Sequence, residues 1–349
     1  MAALTEQLDL IDPNAALTER DAKHARPRRR TKPATLSQGD KVGAWRVEGE
    51  LGKGGMGTVY AVTHAGFGKR AALKLCHRSV LSEQFTVETF LREARVVHLV
   101  NHPGVCDVFA TGTYDGRPYL AMERLHGKTL GDYLEHRAVT KVEALDLLVD
   151  IARVLHAAHA AGVVHRDLKL DNVFVVDAPG APPQIKVLDW GVARILGEPD
   201  PMTGMIAGTL TYVPPEQVHG DELTPAADIY SLGVLAYQLL LGEPPFKNAS
   251  DLALIRMHLE AAPPRPSVAW AEIPASLEML LLAMLAKNPA ERPTVDDVIA
   301  GITAARGALL PRRPGVIERL RLLPKAPSAT ARSKAASRTA RSKAASRTA

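Results

Sequence analysis

Six residues, Gly52-Lys53-Gly54-Gly55-Met56-Gly57, lie between two strand-like stretches, and that placement excludes more folds than any other feature of the chain. Glycines permit a tight turn and let main-chain N–H groups come close to phosphate oxygens. A dinucleotide-binding βαβ unit would need a helix to start immediately after them. Here Thr58-Val59-Tyr60-Ala61-Val62 follows, which reads as strand. The segment alone suits either a phosphate-holding hairpin or a purely structural turn.

Strand-like runs surround it. Ala44 to Glu50 alternates, Thr58 to Thr63 resumes after the glycines, and Ala71 to Leu75 is a short apolar strand. A helical pattern follows, with Phe90, Ala94 and Val97 on one face. Val105 to Tyr114 and Pro118 to Glu123 read as two more strands. From Leu130 onward helical periods dominate: Ala144 to Ala161, Ala226 to Leu241 and Leu277 to Ala286. Short strands, Val173 to Val176 and Ile185 to Leu188, interrupt them. The coarse architecture is α+β, a small β-rich lobe followed by a larger helical one, joined near Glu123 to Gly127.

The 349 residues are 46% hydrophobic and 23% charged, which excludes collagen-like, coiled-coil and wholly disordered chains. Two cysteines, Cys76 and Cys106, are too few for a disulfide scaffold or a four-cysteine zinc site, and they suit a reducing compartment. Glu6, Asp9 and Asp12 stand where a signal peptide needs lysines before an apolar run. The longest apolar stretch, Ser231 to Gly242, reads as a buried helix rather than a membrane span. These features predict a soluble, cytoplasmic protein with no membrane span.

The net charge of +5 is unevenly placed: residues 311–349 hold eleven Lys/Arg against Glu318, a charge of +10, which leaves −5 on the rest. Residues 332–340 and 341–349 are the same nonapeptide, Arg-Ser-Lys-Ala-Ala-Ser-Arg-Thr-Ala, written twice. With nothing apolar larger than alanine, the repeat predicts disorder at the end of a basic tail over 311–349, in which Arg312 to Leu323 reads either as a docking segment against the large lobe or as a partner-binding helix. Such a tail suits an anionic partner, nucleic acid or a membrane surface, or a cluster of phosphorylation acceptors. Residues 1–40, with Arg26, Arg28, Arg29, Arg30 and Lys32 among prolines, read as a flexible basic arm.

Chemistry concentrates in three places. Ala71-Ala72-Leu73-Lys74 puts a lysine on a strand beyond the glycines, with Glu93 on the next helix as its partner. His165-Arg166-Asp167-Leu168-Lys169-Leu170-Asp171-Asn172 places an aspartate, a lysine and an asparagine within six residues, between a helix and a strand. Asp167 suits a proton acceptor, Lys169 a phosphoryl neutraliser, and Asn172 a Mg²⁺ ligand through its amide oxygen. Asp189-Trp190-Gly191 sets a carboxylate at a strand end, a hard oxygen for the same ion.

In this order the motifs resemble the eukaryotic-like serine/threonine protein kinases of bacteria, over about residues 43–305. The set is completed by Pro214-Pro215-Glu216, Asp228-Ile229-Tyr230-Ser231-Leu232-Gly233 and Glu291-Arg292-Pro293-Thr294. The resemblance implies a bilobal protein-kinase-like fold, with an N-lobe over 43–123 and a C-lobe over 126–305. It implies ATP and Mg²⁺ (or Mn²⁺), and protein substrates. Asp167 is then the catalytic base, Lys169 the γ-phosphate contact, Asn172 and Asp189 the metal ligands, and Lys74–Glu93 an ion pair that marks the active state. The segment Leu51, Gly52, Lys53, Gly54, Gly55, Met56 and Gly57 covers the phosphates. Val59 and Ala72 roof the adenine, Phe174 floors it, Met122 is the gatekeeper, and main-chain groups of Glu123 and Leu125 meet its edge. Asp228 braces the catalytic loop, Glu216 pairs with Arg292, and Lys169 favours Ser/Thr over Tyr as acceptor.

Departures from the family pattern are few. Trp190 stands where phenylalanine is usual, and its indole N–H needs a partner. Pro215 replaces alanine, and Leu170-Asp171 replaces the commoner Pro-Glu. Thr209, after Gly208, matches the threonine of the substrate platform. Thr203 is the expected site of activating phosphorylation, since Arg166 beside the catalytic aspartate needs an anion. His156 and His159, at i and i+3, read as ordinary helix residues rather than a metal pair. A nucleotide-binding scaffold without transferase activity and a small-molecule kinase are the rival readings. The intact Asp167, Asn172 and Asp189 oppose the first, and the Thr209 to Glu216 platform opposes the second.

Overall fold

The computed structural model describes residues 35–81, 87–177, 180, 183–200 and 209–310. The arm up to residue 34, the tail 311–349, Thr203 and Gly208 lie outside the described residues. The chain divides into two compact units, one reaching His98 and including Asp107–Leu125, the other made of Leu99–Cys106 and the chain from His126 onward.

The first unit carries strands β1 (Lys41–Val42), β2 (Trp45–Lys53), β3 (Gly57–His64) and β4 (Arg70–Cys76), helix α1 (Val87–Val100) except its last two residues, and strands β5 (Val108–Tyr114) and β6 (Arg117–Met122). The strands form one antiparallel sheet in the order β1-β2-β3-β4-β6-β5. β4 is interior to the sheet, and every residue from Ala71 to Cys76 is buried, hence an apolar run broken only by Lys74.

Register sorts the side chains. Val59 faces Lys74 and Ala61 faces Ala72 across β3–β4, while Ala72 faces Met122 across β4–β6. Opposed residues, and residues two apart, share a sheet face. Val59, Ala72, Lys74 and Met122 therefore lie on one face. On the other, Trp45, Val47, Tyr60, Val62, Leu73, Leu75, Tyr119 and Ala121 form a single apolar cluster. One face builds the core and leaves the opposite one for chemistry.

The second unit contains β7 (Gly127–Thr129), α2 (Leu130–His136), α3 (Lys141–Ala160), β8 (Val163–Val164), β9 (Val173–Val176), β10 (Gln184–Val187) and β11 (Arg194–Ile195). Helices α4 (Pro215–His219), α5 (Ala226–Leu241), α6 (Asp251–Glu260), α7 (Pro266–Ala269), α8 (Ala275–Met284) and α9 (Val295–Leu309) follow. Thr140 and Glu143 form a capping box that starts α3 three residues before the apolar period does, and Thr294 with Asp297 does the same for α9. α5 buries thirteen of its sixteen residues, as expected of a helix apolar on all sides. Among the described residues no helix is long and apolar enough to cross a membrane.

The sequence boundary keeps 99–106 in the β-rich lobe, and the structure assigns them to the second unit. The Val187 N–H donates to Gly104 O at 2.7 Å, and Val105 bridges Val187 in parallel. Those bonds also explain why β5 begins at Val108 rather than at Val105.

Candidate active site

In the first unit, the β2–β3 turn is held by the Gly54 N–H donating to Gly57 O at 2.9 Å. Leu51, Gly52, Lys53, Gly54 and Gly55 are exposed, Met56 is half-buried and Gly57 is buried. Gly57 is glycine for a packing reason, because a Cβ there would stand 2.5 Å from Leu75 O on β4. At Gly52 and Gly55 a Cβ would meet nothing within 4 Å. Lys74 Nζ donates to Glu93 Oε2 at 2.8 Å, both side chains nearly sealed from water. The predicted ion pair is formed. Val59 and Met122 are half-buried and Ala72 is buried on the face that carries Lys74. Beyond β6, the Glu123 N–H donates to Asp107 O at 2.8 Å, and Glu123 and Leu125 are both half-buried.

In the second unit, the loop 165–172 is built around Asp228 in the first turn of α5. This carboxylate is completely buried and accepts the main-chain N–H of His165 at 2.9 Å and of Arg166 at 3.0 Å. It also accepts His159 Nε2 at 2.9 Å. Burial on its own would raise the Asp228 pKa, but the bond and charge of His159, with the His165 contributions, outweigh it and the pKa lies below its ordinary value. The sequence reading treated His156 and His159 alike. The structure separates them: His156 is exposed beside Asp296, whereas His159 is part of the brace.

His165 links the loop to the Asp189 turn. Its Nδ1 lies 3.2 Å from the Asp167 N–H and its Nε2 lies 3.0 Å from Leu188 O. An amide donates only and a carbonyl accepts only, so Nδ1 is the acceptor and Nε2 the donor in these two bonds. Trp190, buried to 1% exposure, packs edge-on against His165 with ring centres 4.5 Å apart. Its indole N–H donates to Val187 O at 3.2 Å, the partner the substitution for phenylalanine requires.

Asp167 stands at the centre of a ring of donors. Its Oδ2 accepts Lys169 Nζ at 2.8 Å and Asn172 Nδ2 at 2.9 Å, and its Oδ1 accepts the Thr209 N–H at 3.2 Å. Lys169 Nζ also donates to Thr209 Oγ1 at 3.0 Å. Asn172 Nδ2 bonds Asp167 O at 2.7 Å as well, and two acceptors facing one amide nitrogen fix which way the amide is turned.

The amide oxygen of Asn172 is thereby turned off Asp167, as a cation ligand must be. The β9–β10 register pairs Val173 with Val187, and one step further the Leu188 N–H donates to Asn172 O at 2.8 Å. Asn172 and Asp189 thus emerge at the same end of one hairpin. Asp189 has φ 60°, a left-handed conformation unusual for a residue with a side chain. One amide oxygen and one carboxylate suit a hard divalent ion that keeps its other positions for phosphate and water. Among the described residues no three His, Cys, Asp or Glu side chains converge as a metal cage. Phe174, half-buried, follows on β9 opposite Lys186 and Thr129.

Glu216 and Arg292 form a two-pronged pair, Nη1–Oε1 2.6 Å and Nη2–Oε2 2.8 Å, almost fully buried. Arg292 Nη1 also donates to Ala226 O at 2.8 Å, tying the segment after Thr209 to the start of α5.

Two partners were not anticipated from sequence. One is the contribution of His159 to the Asp228 site. The other is Asp200, whose carboxylate receives the Arg166 guanidinium through both terminal nitrogens, Nη1–Oδ1 at 2.9 Å.

Residues 45–301 match the family described as Protein kinase domain. The serine/threonine-protein kinase Pkn1 of Myxococcus xanthus is 39% identical over 273 residues, 78% of this chain and 38% of the relative. The serine/threonine-protein kinase pkn3 from the same organism is 36% identical over 258 residues, 71% of this chain and 47% of the relative. PknA of Mycobacterium tuberculosis is 34% identical over 281 residues, 78% of this chain and 63% of the relative. The chain thus spans less than two thirds of the length of each of these relatives.

Proposed function

The chain belongs to the protein kinase domain family, and from that premise we propose that it transfers the γ-phosphoryl group of ATP to serine and threonine hydroxyls of protein substrates. The observation that carries this reading is the Asp167 carboxylate, held by Lys169, Asn172 and the Thr209 N–H. A scaffold that only bound nucleotide would have no use for a carboxylate fixed from three sides.

Each unit supplies its own part of the reaction. Lys74, oriented by Glu93, supplies a fixed cation for the α- and β-phosphates, and the exposed turn Gly52 to Gly55 supplies main-chain N–H donors. The face carrying Val59, Ala72 and Met122 receives the adenine. Asn172 and Asp189 would hold Mg²⁺ (or Mn²⁺), which when bound neutralises charge on the phosphate oxygens. Asp167 accepts a hydrogen bond from the acceptor hydroxyl and then its proton. As the new O–P bond forms, the bond from the γ-phosphorus to the bridging oxygen breaks and ADP leaves with that electron pair. Lys169 faces the transferred group and balances its charge. Thr209, already bonded to Lys169 and Asp167, positions the polypeptide that brings the hydroxyl.

Two free, buried thiols suit a reducing, cytoplasmic setting. The +10 charge of residues 311–349 suits an anionic partner outside the transfer reaction. Incubating the full chain with [γ-³²P]ATP, Mg²⁺ or Mn²⁺ and casein tests the main reading. Label on casein or on the chain itself, located at serine or threonine, is the expected result. ATP binding without any transfer would return the chain to the scaffold reading.

A further inference from the structure

Arg166 sits immediately before Asp167 and is held in an unusual way. Its φ is 72°, a left-handed conformation that is strained for a residue with a side chain and persists only where its surroundings impose it. Its main-chain N–H is fixed by Asp228. Its guanidinium, only 5% exposed, is fixed at the other end by Asp200, whose side chain is 12% exposed. A buried cation needs an anion, and a guanidinium meeting a carboxylate through two parallel bonds supplies it with strong, directional, charge-assisted contacts.

Asp200 reaches Arg166 by a traceable route. β11 pairs with β8, Arg194 opposite Val164 and Ile195 opposite Val163, and β8 leads directly into His165. The Leu196 N–H donates to Gly162 O at 2.8 Å, and the Glu198 N–H turns back to Ile195 O at 3.3 Å. The segment that follows Asp189 is therefore stitched to the strand that feeds the catalytic loop. Asp200 emerges from that stitching against the guanidinium.

We propose that Asp200 is a positioning residue for phosphoryl transfer, a built-in carboxylate that holds Arg166, and through it Asp167, without a phosphate on the chain. This rests on the transferase reading above. The sequence expectation assigned the anion to a phosphate on Thr203, but the cation that motivated it is matched by Asp200. Activity then does not require prior modification of Thr203. The conformation of Asp167 is set when the chain folds.

The test uses the full chain, with Mg²⁺ and casein as acceptor, in wild type, Asp200→Asn, Asp200→Glu and Thr203→Ala. Asp200→Asn is expected to lower kcat about 10-fold or more while the KM for ATP stays within about 2-fold, because the nucleotide contacts are untouched. Asp200→Glu restores the carboxylate and should recover kcat to within about 3-fold of wild type. Thr203→Ala should stay within about 2-fold. Wild-type kcat in Asp200→Asn, or a loss in Thr203→Ala equal to that in Asp200→Asn, overturns the proposal. Amide hydrogen exchange over His165–Lys169 gives a readout independent of transfer. Faster exchange in Asp200→Asn than in Asp200→Glu at equal melting temperature supports the clamp, and identical exchange in both variants and wild type refutes it. A wild-type chain that labels nothing would remove the transferase reading alone, and the exchange result would still decide whether Asp200 holds the loop.

Discussion

The glycine turn of the first unit and the catalytic loop of the second are assigned to the same reaction but are built in opposite ways. Gly52 to Gly55 are exposed and their turn is closed by the Gly54–Gly57 bond. His165, Arg166 and Asn172 are buried, and the loop is anchored to Asp228, Asp200, Leu188 and Thr209. The difference follows from what each piece meets. A phosphate chain brings its own acceptors and can order a loose row of N–H donors as it binds. A hydroxyl proton brings nothing comparable, so the group that takes it must be placed beforehand by the protein.

If that contrast holds, the largest effect comes from the placed group. Asp167→Asn keeps the size of the side chain and removes the proton acceptor. It is expected to lower kcat by about 10²–10⁴-fold, the usual range for losing a general base. The Kd for ATP, measured by calorimetry, should change little. Transfer at the wild-type rate would show that Asp167 is not the base.

The next effect concerns the brace rather than the base. Asp228→Asn puts an amide where a carboxylate accepts two main-chain N–H groups and His159, so at least one buried donor loses its partner. Breaking a buried charged network of this kind costs about 3–5 kcal/mol. Denaturant unfolding should show that loss, with kcat falling beyond what unfolding explains. The pH dependence has a definite sign. Asp228 has a folded pKa below its ordinary value of 3.8, so its contribution is complete above that value and is lost as pH falls through the lower folded one. The acid limb of stability should be shallower in Asp228→Asn. An unchanged limb would mean that the carboxylate is not what the loop rests on.

The same contrast explains how much was legible beforehand. Asp167, Lys169 and Asn172 could be read because a short loop must carry all three within one turn of chain. Their spacing is itself the geometry. Lys74 stood out as a charge inside an apolar strand, and Glu93 as the acid on the following helix. His159 could not be separated from His156, because burial by α5 is decided by helix packing and not by the helix's own period. Asp200 was invisible for the same reason: it meets Arg166 only because β11 pairs with β8, thirty-four residues along the chain. Val105 and Cys106 were read together with β5 because a strand-like run does not say which strand it pairs with, and Val105 bridges Val187 instead. The helix α9 did carry a readable signal, Thr294 three residues before Asp297 at the head of an apolar period.

The smallest effects separate the glycines from one another. Gly57→Ala would press a Cβ to 2.5 Å from Leu75 O, a main-chain atom held in an interior strand pair. Relieving that contact should cost about 1–3 kcal/mol of stability, as overpacking does. Gly55→Ala meets nothing within 4 Å and has no left-handed φ, so folding should change by less than about 0.5 kcal/mol. Any effect of Gly55→Ala should instead fall on ATP, as a rise in KM of a few-fold at nearly constant kcat, because the methyl group intrudes only where phosphate oxygens approach the main chain. Thermal melts and ATP titrations on the two variants divide the turn into a glycine needed by the sheet and a glycine needed by the nucleotide. Equal destabilisation by both would mean that the exposed end of the turn is as fixed as the catalytic loop, and the contrast between the two regions would fail.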